Sequence, residues 1–187
     1  SGYSGKYGVN FALIGSQKFM QNKSGIFDLV IHIGEVTGNA FGKSISINRV
    51  WRVSEDGQLR DSWGKLTDVF EMPEDMFFDY YSSLSSKKDT SFFEECQNEY
   101  NYIYSHIQDI PFSNVWIALN LYDKLPKGSE IHLGIFNSLR SWDFINLDKS
   151  IKSNCNVGGF GIDGGLSSLV GASLSDPDKI YFGVFGD

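Results

Sequence analysis

The chain has 187 residues and a mass of 21.0 kDa, a length that fits one large domain or parts of two. Because 41% of the residues are hydrophobic, the chain can bury a sizeable core, which excludes the disordered and collagen-like classes. Sixteen Lys and Arg residues against 23 Asp and Glu residues give a net charge of −7, and no basic stripe is present. We therefore expect no nucleic-acid binding.

The cysteines and histidines give no metal-binding pattern. Cys96 and Cys155 lack ligand spacing, and His32, His106 and His132 are far apart, so we expect structural roles for them. No apolar run approaches the length of a membrane span, and no basic-then-apolar leader is seen. We therefore expect a cytoplasmic protein with reduced cysteines and no membrane contact.

Short apolar runs bounded by turn residues predict six strands. In chain order these lie at residues 11–14, 28–34, 48–53, 67–72, 130–134 and 179–185. Several are apolar on both alternating faces, which is typical of strands covered by helices on both sides. The segment 48–60 is polar enough to predict an edge position. The expected fold class is α/β, with a mainly parallel sheet flanked by helices.

Helices are predicted between the strands. Pro73, Glu74 and Asp75 indicate the start of one that runs to Leu84, since proline suits a first helical turn and acidic side chains favour its positive end. The other predicted helices lie at 91–107, 113–125, 138–145 and 162–174.

A polar stretch at 82–91 has the composition of a linker. It predicts a domain boundary that divides the chain into residues 1–90 and 91–187. The alternative is an ordinary loop between two helices of a single domain.

The most informative segment is rich in glycine, with five glycines between Gly158 and Gly165. Glycine lets a ligand approach the main-chain N–H groups closely, and the helix predicted from Ile162 points its positive end at the same place. The segment therefore predicts an anion-binding loop, for which a diphosphate is the obvious ligand.

One ligand that fits this loop is a dinucleotide. Gly159, Gly161 and Gly164 have the spacing of the dinucleotide fingerprint, and Asp187 ends the next strand, where a ribose-binding acid is expected. The chain would then be a non-catalytic binding module. However, the strand before the glycines would be 150–156, which is too polar for the first, central strand of that fold.

A second interpretation comes from a family resemblance. Residues 156–164 read Asn-Val-Gly-Gly-Phe-Gly-Ile-Asp-Gly and precede a small-residue helix and a strand that ends in Gly186 and Asp187. This pattern resembles the start of the diphosphate-binding domain of thiamine-diphosphate (ThDP) enzymes. It is most similar to the menaquinone-pathway 2-succinyl-5-enolpyruvyl-6-hydroxy-3-cyclohexene-1-carboxylate synthases, whose motif is Asn-Arg-Gly-x-x-Gly-Ile-Asp-Gly.

Three further segments agree with this resemblance. Residues 28–35 and 51–61 resemble neighbouring strands of that family's central domain, and 136–139 resembles the Gly-Asn-Ser opening of its third domain. The resemblance implies that residues 1–90 are the later part of a Rossmann-like central domain. Residues 91–187 would then hold linker helices and the first βα units of the ThDP-binding domain.

The resemblance also implies a role for individual residues. Those that would bind the cofactor are Gly158, Gly159, Gly161, Ile162, Asp163 and Gly186. Asp187 would ligate a Mg²⁺ ion that clamps the diphosphate, since Mg²⁺ prefers oxygen ligands. Asp163 would order the loop or cap the helix. Asn137 and Ser138 match positions that face the substrate, and capping of the helix at Leu139 is the alternative.

Two departures from the family motif bear on the substrate. Val157 stands where the synthases carry an arginine, and valine cannot form the paired hydrogen bonds that recognise a carboxylate. Phe160 replaces a small residue. We therefore expect a sister activity that decarboxylates a 2-oxo acid and releases or transfers the resulting aldehyde unit.

The resemblance places the catalytic glutamate outside this chain. We therefore expect an internal fragment that is inactive alone and a full-length enzyme that is a homodimer or homotetramer. A purely structural interaction domain is the third interpretation.

The first prediction concerns Val157. If carboxylate recognition has been lost there, the full-length enzyme will show no measurable condensation of 2-oxoglutarate with isochorismate in a product assay. Efficient turnover of this pair would show that the replacement is harmless.

Overall fold

The computed structural model describes residues 8–15, 27–34, 46–84, 89–107, 109–156 and 162–186. The chain forms two compact units, Ile14–Glu99 and the combination of Ser1–Leu13 with Tyr100–Asp187. Each contains a parallel sheet with helices, so the predicted α/β class is confirmed. The domain boundary inferred near residue 90 stays a prediction.

In the Ile14–Glu99 unit, the described strands are β1 (Val30–Ile33), β2 (Val50–Val53) and β3 (Leu66–Phe70). They are parallel in the order β1-β2-β3. The predicted helix α2 follows at Glu74–Leu84. Its Phe77 is buried, and the ring lies 4.5–6.4 Å from those of Trp51, Phe70 and Tyr81.

The predicted edge position of segment 48–60 is wrong, because β2 lies between the other two described strands of its sheet. The polar residue in β2, Arg52, is completely buried. Its guanidinium donates to the carbonyl oxygen of Gly34 at 3.2 Å and lies 3.6 Å from the carboxylate of Asp56. A charge can be buried when it has such partners. Because the sequence shows the charge and not the partners, it wrongly predicts an edge position for this central strand.

The strand predicted at 11–14 is also wrong, since Phe11–Ile14 forms one helical turn, α1. The side-chain oxygen of Asn10 accepts a hydrogen bond from the backbone N–H of Ala12 at 3.0 Å. Such a local bond favours the start of a helix over an extended strand. The amide of Asn10 also donates to the carbonyl oxygen of Asp143.

The second sheet consists of β4 (Glu130–Leu133), β5 (Lys152–Cys155) and β6 (Tyr181–Val184). All pairs are parallel, and β4 is the middle strand of the order β5-β4-β6. The strands predicted at 130–134 and 179–185 are confirmed, whereas β5 was not among the predicted strands. Its sequence, Lys-Ser-Asn-Cys, has no apolar periodicity, and it lies at an edge of the described sheet.

The remaining helices follow the predicted pattern with changed ends. They are α3 (Ser91–Ser105), α4 (Asn114–Leu121) with a 3-10 turn at Tyr122–Lys124, α5 (Asn137–Trp142) and α6 (Gly165–Ser175). Helix α6 begins at Gly165 and not at Ile162. No described helix is long and apolar enough to cross a membrane.

One face of the second sheet packs into the hydrophobic core of its unit. Ile131 and Leu133 of β4 lie in a cluster of buried residues with Ala118, Trp142, Ile145 and Ile151. Phe182 and Val184 of β6 pack against the same cluster. Because side chains alternate along a strand, Glu130, His132 and Gly183 point to the opposite face.

A buried carboxylate links the three strands on this opposite face. Glu130, in β4, accepts a hydrogen bond from the amide of Asn154 in β5 at 2.6 Å and lies 3.2 Å from Nε2 of His132. The amino groups of Lys152 and Lys179 approach its two oxygens at 3.9 Å each. The carboxylate thus connects the central strand with β5 and with the residues that lead into β6.

The second prediction concerns this carboxylate. In the full-length protein, Glu130→Leu will lower the free energy of unfolding by about 1–3 kcal/mol, because the partly buried amide of Asn154 and the buried ring of His132 lose their acceptor. Glu130→Gln retains an acceptor and will cost less. Urea denaturation measures both.

The matched control is Glu55→Leu, at an exposed glutamate, which will change stability by no more than about 0.5 kcal/mol. Equal stability of Glu130→Leu and the wild type would show that the carboxylate does not support the sheet.

Candidate functional site

The candidate site lies at the carboxyl edge of the second sheet. Parallel strands bring their carboxyl ends to the same edge, which is where α/β proteins bind ligands. Here β5 leads to Asn156, β4 to Gly134, and β6 to Phe185 and Gly186. The N–H of Gly134 donates to the carbonyl oxygen of Val184 at 2.7 Å, which ties the ends of β4 and β6 together.

The amino end of α6 reaches the same edge. The side-chain amide nitrogen of Asn156 donates to the hydroxyl oxygen of Ser168, in α6, at 3.3 Å. The residue that follows β5 therefore contacts the start of the helix. A Cβ atom at Gly164 would lie 3.1 Å from Nδ2 of Asn156. The first N–H groups of α6 have no acceptor within their own helix, and such groups bind anions at helix ends.

The ring of Phe185 explains two of the glycines near the site. A Cβ atom at Gly165 would lie 2.7 Å from this ring, and one at Gly183 would lie 2.6 Å from it and 2.7 Å from Leu169. Gly165 therefore lets the helix pack closely on the aromatic ring, in addition to any role in ligand approach. The sequence showed the glycines but not their contact with the ring of Phe185, which directly follows β6.

Five predicted residues lie outside the described part of the chain: Val157, Gly158, Gly159, Gly161 and Asp187. The same holds for Phe160. Their roles in binding the cofactor, the metal and the substrate stay predictions.

The described cofactor residues lie at or next to the carboxyl edge. Ile162 is 73% exposed, and Asp163 and Gly186 are also exposed. A Cβ atom at Gly186 would meet nothing within 4 Å among the described atoms. Among the described residues, Ile162, Asp163 and Gly186 are therefore exposed, and their cofactor-binding roles stay predictions.

The capping alternatives are wrong. The N-cap of α6 is Gly164, and no side chain caps that helix, so Asp163 does not do so. The N-cap of α5 is Phe136, so Asn137 and Ser138 lie inside the helix and do not cap it at Leu139. Asn137 is exposed, while Ser138 is buried on the core side.

Phe136 has an unusual backbone conformation, which its residue type does not predict. Its φ and ψ angles are 69° and −112°, and it is the non-glycine residue with positive φ in the described ranges. Phe136 stands where the Gly-Asn-Ser pattern has its glycine. A glycine at that position of the pattern is the sequence signal that could have indicated the positive φ angle. Its ring centroid lies 5.5 Å from the guanidinium carbon of Arg140.

Cys155 ends β5 beside the candidate site. Burial is the main cause that raises the pKa of its thiol. The thiol therefore stays protonated at neutral pH, which argues against a nucleophilic role. Among the described residues, no group of three or more His, Cys, Asp and Glu side chains could hold a metal ion.

The comparisons with known proteins agree on one family, although no family model matches the chain. The 2-succinyl-5-enolpyruvyl-6-hydroxy-3-cyclohexene-1-carboxylate synthase of Phocaeicola vulgatus is 28% identical over 137 residues, an alignment that covers 73% of this chain and 24% of the relative. The corresponding synthase of Bacteroides thetaiotaomicron is 29% identical over 142 residues, with the same two coverages of 73% and 24%. The resemblance to this synthase family is confirmed.

A shorter alignment supports the same family. The synthase of Christiangramia forsetii is 37% identical over 82 residues, which cover 44% of this chain and 14% of that protein. The chain spans at most 24% of the length of each of these three synthases. Because the similarity is to enzymes, it does not favour the non-catalytic dinucleotide-binding module.

The third prediction compares two glycines of α6. Gly165→Ala will destabilise the full-length protein by about 1–3 kcal/mol, because the new methyl group overlaps the ring of Phe185. Gly171→Ala is the matched control, since its Cβ would meet nothing within 4 Å among the described atoms. That change will stabilise the helix by up to about 1 kcal/mol.

Thermal and urea unfolding of the two variants measure these effects. Equal effects of the two substitutions would contradict the packing of Phe185 against the start of α6.

Proposed function

We propose that this chain is part of a ThDP- and Mg²⁺-dependent enzyme that decarboxylates a 2-oxo acid and releases or transfers the resulting aldehyde unit. The observation that carries the proposal is the similarity to the synthases over 73% of the chain. In the proposed enzyme, the substrate is a small 2-oxo acid, the location is cytoplasmic, and the full-length protein is a homodimer or homotetramer.

The geometry of the candidate site fits a diphosphate. The amino end of α6 offers backbone N–H groups at the carboxyl edge of the sheet, and partial positive charge at that end favours an anion. Gly164 is the N-cap residue at this end, and a side chain there would crowd Asn156. In this proposal the phosphate oxygens lie next to this part of the main chain.

Oxygen ligands for a divalent cation come from the same edge in this proposal. Asp187 follows Gly186 in the sequence and would provide a carboxylate, the ligand type that Mg²⁺ prefers. When bound, ThDP supplies the acidic carbon that attacks the 2-oxo carbonyl group and accepts the electrons that decarboxylation releases.

This chain's own residues would bind and orient in that reaction. Gly158, Gly159 and Gly161 would hold the diphosphate, and Ile162 would support the cofactor. Asn137, exposed at the start of α5, would face the substrate. Val157 would give the site an apolar wall where the synthases have an arginine. The glutamate that exchanges a proton with the cofactor would come from another domain of the full-length protein.

The position of β5 also weakens the dinucleotide interpretation. In that fold the strand before the glycine loop is the first strand and lies in the middle of its sheet. Here the strand before the loop is β5, which lies at an edge of the three described strands.

The fourth prediction tests the metal ligand in the full-length protein. Asp187→Ala will lower the Mg²⁺-dependent affinity for ThDP by roughly 10–100-fold, because the metal loses a carboxylate ligand. Asp178→Ala is the matched control, because it removes another carboxylate, which is exposed and has no role in the proposed site. It will leave most of the ThDP affinity in place. Calorimetric titration with ThDP at fixed Mg²⁺ measures both.

The 187-residue chain alone will not decarboxylate 2-oxo acids, since it lacks the glutamate of the other domain. Normal ThDP affinity of Asp187→Ala, together with decarboxylation by the isolated chain, would contradict both the metal assignment and the division of the active site between domains.

A further inference from the structure

Two side chains join the ends of the segment that contains the predicted diphosphate loop. Asn156 follows β5, before this segment, and Ser168 lies in the first turn of α6, after it. The side-chain amide nitrogen of Asn156 donates to the hydroxyl oxygen of Ser168 at 3.3 Å, and this hydroxyl lies 3.5 Å from the amide oxygen of Asn156. The two residues are 12 positions apart in the sequence, so their bond fixes the distance between the two ends of the segment.

The same amide lies against the residue at which α6 begins. A Cβ atom at Gly164, the N-cap, would lie 3.1 Å from Nδ2 of Asn156. The carbonyl oxygen of Gly164 accepts a hydrogen bond from the backbone N–H of Ser168 at 2.9 Å, which is the first bond of the helix. Asn156 therefore contacts both ends of the first helical turn.

Asn156 makes these contacts without occupying the N–H groups of the helix. An N-cap side chain usually accepts a hydrogen bond from one of the first N–H groups. The N-cap of α6 is a glycine, which offers no such acceptor, and the amide of Asn156 donates to a hydroxyl group. The side chain that holds the helix end therefore does not compete with an anion for the first N–H groups.

Strand β5 is itself anchored to the middle strand of the sheet. Asn154, two residues before Asn156, pairs with His132 in the ladder between β5 and β4. Its amide donates to the buried carboxylate of Glu130, also in β4, at 2.6 Å. The end of β5 therefore has a fixed position relative to β4, and the bond from Asn156 fixes the start of α6 to it.

We infer that Asn156 is a positioning residue for the diphosphate of the cofactor and that it acts through Ser168. By holding the first turn of α6 beside the end of β5, it fixes in advance the main-chain N–H groups that bind the phosphate oxygens. A site that is organised before binding loses less conformational freedom when its ligand binds, so its affinity is higher. The inference rests on the proposed function and assigns a role to Asn156, which is not among the predicted cofactor-binding residues.

The test measures the affinity of the full-length protein for inorganic pyrophosphate and for ThDP, by calorimetric titration at fixed Mg²⁺. Asn156→Ala and Ser168→Ala will each lower both affinities about three- to tenfold, the effect of losing one neutral hydrogen bond. Ser168→Thr keeps the hydroxyl group and will keep both affinities within about twofold of the wild type. Ser173→Ala is the matched control in the same helix, since its hydroxyl donates to the carbonyl oxygen of Val170, and it will leave both affinities unchanged.

Two further measurements separate positioning from direct binding and from structural support. In the double variant Asn156→Ala/Ser168→Ala, the loss of pyrophosphate affinity will equal that of the larger single variant, because both substitutions break the same bond. Both side chains are exposed, so the single variants will leave the urea midpoint of unfolding nearly unchanged. A residue with a structural role alone would lower this midpoint and leave the pyrophosphate affinity intact.

Three results would overturn the inference. The first is unchanged pyrophosphate affinity in Asn156→Ala. The second is additive losses in the double variant, which would show that Asn156 acts without Ser168. The third is a loss of ThDP affinity with normal pyrophosphate affinity, which would assign Asn156 to another part of the cofactor. Failure of the proposed function is a separate outcome, because it appears as absent ThDP binding by the wild type.

Discussion

Phe185 follows β6, and its ring lies in the space that Gly165 and Gly183 leave free. This close contact sets how the start of α6 lies against the sheet, and so it sets where the first N–H groups of the helix point. A larger side chain at either glycine would push the helix away from the ring. The anion-binding geometry of the proposed site therefore depends on a steric constraint that involves no ligand.

Buried charges support the two sheets in a similar way. Arg52 is fully buried in the middle strand of one sheet, and Glu130 is buried in the middle strand of the other. Each is surrounded by polar partners from neighbouring segments, because an isolated charge at such a position would be too costly. Arg52 thereby links β2 to Gly34, which follows β1, and Glu130 links β4 to Asn154 of β5.

Local patterns predicted much of the fold, and the errors have physical causes. The apolar run at 130–134 and the proline-initiated helix after residue 73 need only local information, and both are confirmed. The polarity of β2 comes from Arg52, whose hydrogen-bond acceptor Gly34 is distant in sequence, so the pattern wrongly indicated an edge. The strand β5 was missed because its stability comes from pairing with β4 and from the Asn154–Glu130 bond.

The candidate site was predictable only in part. The motif from Asn156 to Gly164 identified the edge at which three strand ends meet. It could not reveal Phe185 as the partner of the glycines or the positive φ angle of Phe136. Both features depend on tertiary contacts and on a backbone conformation that a phenylalanine rarely adopts.

We propose that the carboxyl edge of the second sheet belongs to a ThDP site. Calorimetric titration of the full-length protein with ThDP and Mg²⁺, and separately with NAD and FAD, tests it most directly. We expect saturable, Mg²⁺-dependent binding of ThDP and no binding of either dinucleotide. Binding of NAD or FAD without binding of ThDP would contradict it.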